Sequence, residues 1–301
     1  MGLERPALRF IIREHQRQPI VGPLLQLGRQ AVAPDEDEMS ALLREEGIEP
    51  AKRSSAAPTR DASFFNKLGV DEVHALDFSS YEGADIIHDL NKPVPRELEG
   101  RFNFILDGGT SEHVFDVRQV MRNIARLLKP GGRVLHMQPM NNYVNHGFYQ
   151  FSPTFYFDYY SANAFGDLRG YLFKHGPKAP FHGKLYELNP FIRQNQIASS
   201  DPMRSMMVYF IARKEANSTD DAIPTQTHYA ALAGKNISKP AVNYSQPGIR
   251  KKLNRGLPRP VVRALQCGMT ALDVGDPEQP FFDPTRHRSH PWGLKYLGKL
   301  D

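Results

Sequence analysis

The sequence predicts a doubly wound α/β protein built on a mostly parallel sheet. Three observations predict it. EVHALDF, ADIIHDL and FNFILDGG are short apolar runs that each reach an acid, at Asp77, Asp89 and Asp107. Val117, Val120, Met121, Ile124, Leu127 and Leu128 then recur at helical spacing. Lys-Pro-Gly-Gly and a further apolar run, Arg133–Met137, follow. Strands separated by helical segments imply parallel pairing through right-handed crossovers. Carboxylates at consecutive strand ends collect on one edge of such a sheet, the edge where nucleotide-like ligands bind. The pattern suggests an adenosine-type cofactor site.

The elements are expected in the following order. Residues 5–17 form an amphipathic helix with Leu8, Ile11, Ile12 and His15 on one side, stopped by Pro19. PLLQLGRQAV supplies a buried strand entering a turn at Gly28. DEDEMSALLREEG is a helix with acids in its first turn and Gly47 at its end. Residues 49–63 are small, polar and proline-broken, as a loop is. A short helix near 63–68 leads to strands at 72–77, 84–88 and 102–106, the last apolar enough for burial on both faces. Pro130 and Gly131-Gly132 are expected to end the long helix. An aromatic-rich segment, 141–165, precedes strands at 170–174 and 206–213. Beyond residue 215 the chain turns polar and rich in Pro and Gly, with helical periodicity only at 259–272. Two parts are therefore expected, 1–215 and a basic C-terminal extension, 216–301.

The chain has 301 residues and a formal net charge of +5, unevenly placed: residues 248–263 hold six basic side chains and no acid. Such a segment suits a solvated arm, or contact with an anionic surface. Cys267 is the only cysteine, which excludes an intramolecular disulfide and a cysteine-based zinc cluster. No stretch approaches the ~20 apolar residues of a membrane span, and the first residues lack a secretory apolar region. The expectation is a soluble, cytoplasmic protein.

At the strand ends each acid has two readings. Asp77 suits a ribose diol, since a carboxylate accepts two hydrogen bonds; it also suits a turn before Phe78-Ser79. Asp89 could accept from an adenine amino group or serve a turn before Asn91. Asp107-Gly108-Gly109 joins an acid to glycines that admit close approach, or forms a tight turn. The chain lacks G-x-G-x-x-G after its first strand and a G-x-x-x-x-G-K-[ST] loop, which disfavours dinucleotide and NTP enzymes.

LDFSSYEGADIIHDLN, FILDGGTSEHVFD and NIARLLKPGGRVLHMQP, in this order, resemble the class I S-adenosylmethionine-dependent methyltransferase family over about residues 22–213. NHGFYQFSP resembles a subgroup associated with bacterial glycan or small-molecule biosynthesis. The resemblance implies a Rossmann-like, seven-stranded sheet with its last strand antiparallel, and S-adenosyl-L-methionine as cofactor. It places Gly28 in the turn facing the methionine part, Asp77 at the ribose, Asp89 near adenine, and Asp107-Gly108 beside the sulfonium and substrate. The sequence departs from the family in its first loop, Gln26-Leu27-Gly28-Arg29-Gln30, which has one glycine and no acid.

Methyl transfer to a hydroxyl needs the proton removed, a task for histidine or carboxylate. His113 is the first candidate, with His136 and His146 next; Glu112 could orient His113 or contact substrate. Tyr149 and Phe151 are the expected substrate-facing aromatics. Asp107, Glu112 and His113 match no strong metal spacing, so no metal is expected. The resulting expectation is methyl transfer to a hydroxyl or amine of a small molecule or glycan precursor. A non-catalytic, methyltransferase-like binding protein is the alternative. Nucleic-acid modification ranks third, because Asp107-Gly108-Gly109-Thr110 stands where an Asn-Pro-Pro-Tyr motif would be.

Overall fold

The computed structural model describes residues 2–51, 59–176, 182–188, 204–227, 229 and 294–300. The basic stretch at 250–263, the helix expected at 259–272 and Cys267 lie outside the described residues. In chain order the elements are α1 (Arg5–Arg17), β1 (Leu24–Leu27), α2 (Glu36–Glu45), α3 (Arg60–Lys67), β2 (Val73–Asp77), β3 (Ile86–Ile87) and β4 (Phe102–Asp107). There follow α4 (Val117–Leu127), β5 (Leu128–Asn141), α5 (Pro153–Ala162), β6 (Gly166–His175), β7 (Gly183–Leu188), β8 (Met206–Arg213) and β9 (Leu294–Leu300). Among the described residues, no helix is long and apolar enough to cross a membrane.

The strands form one sheet in the order β3-β2-β1-β4-β5-β8-β6-β7-β9. From β3 to β5 all pairings are parallel. Beyond β5 they are antiparallel, so that only β7 and β8 run against the other strands. The doubly wound, mostly parallel architecture is present, but with nine strands where seven were expected. The additions are β7, which extends β6 as an antiparallel neighbour, and β9, which pairs with β7. The segment beyond residue 215 thus returns to the sheet.

Alternation along the strands divides the core. Leu24, Phe104, Leu106, Leu135 and Met137 face α1, α2 and α3, packing with Leu8, Ile11, Leu42, Phe64 and Phe65. Leu25, Ile105 and Val134 face the opposite way, onto Val120, Ile124, Tyr156 and Tyr160 of α4 and α5. This two-faced burial is why the strands read as continuous apolar runs. Local chemistry fixes the helix ends. Asp35 accepts from the backbone of Asp37 and Glu38 while Glu38 accepts from the Asp35 N–H, a capping box. The long helix closes at Leu127, before the Lys-Pro-Gly-Gly turn expected to end it. Leu128 is already extended (φ −72°, ψ 137°) and pairs with Phe102.

A buried ionic cluster docks α1 on the sheet. Glu14 accepts from Arg133 Nη1 (2.6 Å) and from both terminal nitrogens of Arg169 (2.6 Å each). Arg133 also donates to the Gln18 and Pro19 carbonyls at 2.8 and 2.9 Å. Glu14→Ala would leave two buried guanidinium groups without their shared carboxylate. We expect a loss of about 3–5 kcal/mol in urea unfolding; a loss below ~1 kcal/mol would show that the cluster does not hold α1 in place.

Candidate functional site

β1 lies between β2 and β4, so the chain reverses its winding direction there and a crevice opens at the strand ends. Leu27 is the register partner of Asp107, which brings Gly28 and Gly108 to the same edge. Gly28 has φ +69°, and a Cβ on it would stand 2.7 Å from Thr110 Oγ1. Only glycine suits that turn.

Asp107 is fully buried. Its carboxylate accepts from Ser111 Oγ (2.5 Å) and from the Ser111 and Thr110 amides (3.2 and 3.4 Å), and lies 2.7 Å from His136 Nδ1. His136 Nε2 meets the Tyr160 hydroxyl at 2.7 Å. The consistent assignment has Nδ1–H donating to Asp107 and Nε2 accepting from Tyr160. Burial pushes the Asp107 carboxyl up, but the His136 and Ser111 hydrogen bonds more than offset this and leave it below the usual range. Two expectations are corrected. His136 has both nitrogens occupied and no exposure, so it cannot take a proton from a substrate. Asp107 supports the edge from beneath and presents no free carboxylate to a ligand.

The same hydrogen bonds start the 3-10 turn Ser111–His113. Glu112 on that turn is buried, and neither carboxylate oxygen has a hydrogen-bond partner. Burial first, then repulsion by Asp107, pushes its pKa up to about 8. The His146-Gly147 segment packs directly on it. The Phe148 and Tyr149 amides donate to the Glu112 carbonyl at 2.8 and 3.2 Å, and a Cβ on Gly147 would meet that oxygen at 2.8 Å. This docking brings His146 Nε2 to 3.4 Å and His113 Nε2 to 3.6 Å from Glu112 Oε1, with the imidazole rings 5.0 Å apart. Burial holds both imidazoles below their usual pKa, and His146 adds to the effect on His113. Glu112, His113 and His146, expected separately, thus form one cluster.

A cavity of about 360 Å³ opens beside His146, with Gly108, Met137, Tyr143, His175 and the Leu3-Glu4 approach to α1 among its walls. Sequence reasoning missed Tyr143 and His175. The Tyr143 hydroxyl lies 2.9 Å from His175 Nε2, while His175 Nδ1 is buried without a partner. The available clue was that His175 closes an apolar strand, as the three aspartates do. A larger hollow, about 620 Å³, lies at the far end of α4 near Arg126 and Asp220 and touches none of these groups.

The expected aromatic walls are elsewhere. Phe151 is buried against Phe155 and Tyr156, its amide donating to the Pro139 carbonyl at 2.7 Å. Tyr149 donates its hydroxyl to the Phe115 carbonyl at 2.6 Å and braces the loop. Phe115 and Phe148 are exposed, edge to face at 5.5 Å, and Phe78 and Tyr81 are exposed beyond Asp77. At the outer strand ends, Asp77 is half-buried, and its Oδ2 lies 3.8 Å from where a Gly28 Cβ would be. Asp89 accepts from the Asn91 backbone amide and side chain (3.0 and 2.9 Å), which lower its pKa. That is the turn arrangement offered above as its second reading.

The loop after β1 is filled by its own side chains. Arg29 reaches away to Asp61 (2.9 Å) and the Gly83 carbonyl (2.7 Å). Gln30 turns inward and donates to the Leu27 and Gly28 carbonyls at 3.2 and 3.3 Å. Its Oε1 lies 2.7 Å from where a Gly108 Cβ would stand. The amide oxygens of Gln26 and Gln30 are buried without partners.

A doubly wound sheet with a glycine-lined crevice at its switch point defines a protein of the Rossmann-like class. The chain belongs to the class I S-adenosylmethionine-dependent methyltransferase family, whose methyltransferase-domain model matches residues 36–188. It is similar to the citrinin polyketide synthase CMeT domain (12% identity, 70% of this chain, 52% of that one, TM-score 0.37). The chain thus spans about half the length of that relative. It is also similar to the Burkholderia thailandensis 1,6-didemethyltoxoflavin-N1-methyltransferase, solved with 1,6-didemethyltoxoflavin and S-adenosylhomocysteine (16% identity, 70% and 78% coverage, TM-score 0.37). YcgJ from Bacillus subtilis matches at 15% identity, 69% and 97% coverage and a TM-score of 0.38. No curated protein matches the chain in sequence.

Asp107 gives this edge a pH signature. Its carboxyl is held below the usual value, so the unfolded chain binds more protons in the window between the folded pKa and the ordinary one. Stability is therefore present above about pH 4 and is lost as pH falls through the folded value. Asp107→Asn should cost about 3 kcal/mol near neutrality and flatten the acid limb of stability against pH. Urea unfolding from about pH 2 to about pH 7 measures both. A variant with an unchanged acid limb would show that the limb arises elsewhere.

Proposed function

We propose that the protein transfers a methyl group from S-adenosyl-L-methionine to a hydroxyl or amine of a small molecule or glycan precursor. One observation carries the reading: Gly108 on the cofactor edge and His146 of the cluster are walls of the same cavity. A reactant held there would meet both. At about 360 Å³ the cavity lies in the size range of small-molecule sites.

The residues present fit the cofactor. Asp77 offers a partly exposed carboxylate for a ribose diol. The Gln26 and Gln30 amide oxygens are buried acceptors that lack donors, as an ammonium group would provide. Gly28 and Gly108 carry no side chain at this edge, and the Gln30 side chain lies against them. When bound, the cofactor supplies a methyl carbon already activated by a sulfonium. The chain's work is to orient the acceptor, exclude water and receive a proton. Holding the reactants in line can supply most of the acceleration. The acceptor proton is directed to the Glu112–His113–His146 cluster, with His146 the member that lines the cavity. Tyr143 and His175 offer polar contacts on the same wall.

A second reading, a methyltransferase-like binding protein without catalysis, is favoured by the Gln30 side chain standing between Gly28 and Gly108. The two readings give opposite signs for one substitution. If Gln30 serves the cofactor, the protein binds S-adenosylhomocysteine in calorimetric titration, and Gln30→Ala and Asp77→Ala each weaken it about tenfold or more. If Gln30 blocks the crevice, wild type gives no heat at millimolar ligand and Gln30→Ala gains binding. The latter result would overturn the enzyme reading.

A further inference from the structure

We infer that Glu112, His113 and His146 form a site for a divalent transition-metal ion, open on the cavity side. Three observations lead there. The Glu112 side chain is wholly buried, yet both of its oxygens lack a donor. Buried carboxylates without partners are costly, and an ion is one of the few groups that can satisfy them. Two imidazole nitrogens lie 3.4 and 3.6 Å from its Oε1, and the three ligand atoms lie within 4.8 Å of one another. Tetrahedral coordination with arms of about 2.0–2.1 Å separates ligands by ~3.4 Å. Two of the three spacings are near this value, and a small turn of the exposed His113 ring would close the third.

The donor set selects the ion. Two imidazoles and one carboxylate suit Zn²⁺, Fe²⁺, Co²⁺ or Ni²⁺, whereas Mg²⁺ and Ca²⁺ prefer oxygen throughout. Three protein ligands leave at least one position vacant, the arrangement of sites that take a substrate or water. Of the three ligands His146 is the one that lines the cavity, so the open position is assigned to that side; its Nε2, like the Glu112 oxygens, is buried without a hydrogen-bond partner. The supporting frame is also present: the Phe148 and Tyr149 amides hold the Glu112 carbonyl and thereby fix His146 over the carboxylate. The sequence trio Asp107, Glu112, His113 offered no such site, because Asp107 is engaged by His136; the fold supplies His146 in its place. That an acceptor oxygen would occupy the vacant position rests on the methyl-transfer reading; the site itself does not. The ion would then lower that oxygen's pKa and its proton would leave to water, because the coordinated imidazoles no longer serve as the proton acceptors described for the ion-free cluster.

The test uses the full chain stripped with a chelator and titrated with Co²⁺ and Zn²⁺ alone. We expect one equivalent of Co²⁺ to give the visible absorption of a four- or five-coordinate ion, which Zn²⁺ bleaches. Glu112→Gln and His146→Ala should each weaken Zn²⁺ by ~100-fold or more, beyond the ~10–100-fold effect of outer-shell changes. Thermal melts of the variants check that they fold, and His113→Ala provides an independent third variant. No cobalt band, or affinity unchanged in folded variants, overturns the inference. S-adenosylhomocysteine titration is read separately. Metal binding without cofactor binding would defeat the methyl-transfer reading and leave this site standing; the reverse would defeat this site alone.

Discussion

The buried Asp107 carboxylate is the constraint on which this sheet edge depends. With no access to water it must find all its donors within the fold. It finds them in His136 on the neighbouring strand and in Ser111 and Thr110 on its own turn. Those bonds fix where the chain turns after β4, and hence where Glu112 emerges. The two carboxylates then have opposite fates. Asp107 is surrounded by donors and kept charged, while Glu112 is buried without a hydrogen-bond donor beside a fixed negative charge and is held toward its neutral form. Such divergence between neighbouring acids is a property of sites where protons or cations are exchanged.

Much of the fold was legible in the sequence, for identifiable reasons. Apolar periodicity located α1, α2, α4 and the strands from β1 to β5, and the acids of its first turn marked the start of α2. What could not be read were β7 and β9. Each, GKLYEL and LKYLGKL, mixes lysine and glycine into its apolar positions, and is made a strand by a partner rather than by its own composition. Seven strands became nine for that reason.

The site was legible in its residues and illegible in its arrangement. Asp107 was correctly placed at a strand end, but whether its carboxylate points at ligand or into the core depends on His136, a neighbour supplied by another strand. His113 and His146 stand far apart in sequence and meet only because a glycine lets the 146–149 backbone lie on the Glu112 carbonyl. Phe151 failed as a wall because aromatic content alone does not separate a lid from a helix packing on the sheet. Gln30 is a plain polar residue in sequence; only the register of Leu27 with Asp107 reveals it as the occupant of the crevice.

The sheet is finished out of order. β7 has β6 on one side and β9, from the far end of the sequence, on the other. During synthesis the parallel half and its helices can assemble while β7 still presents a bare row of amides and carbonyls. Such an edge is adhesive until covered. Closing it requires residues far apart in the sequence to meet, an encounter whose entropy must be surrendered before any contact compensates. The glycine-lined crevice and Glu112 lie in the parallel half, whereas the edge that β9 covers lies on the opposite side of the sheet.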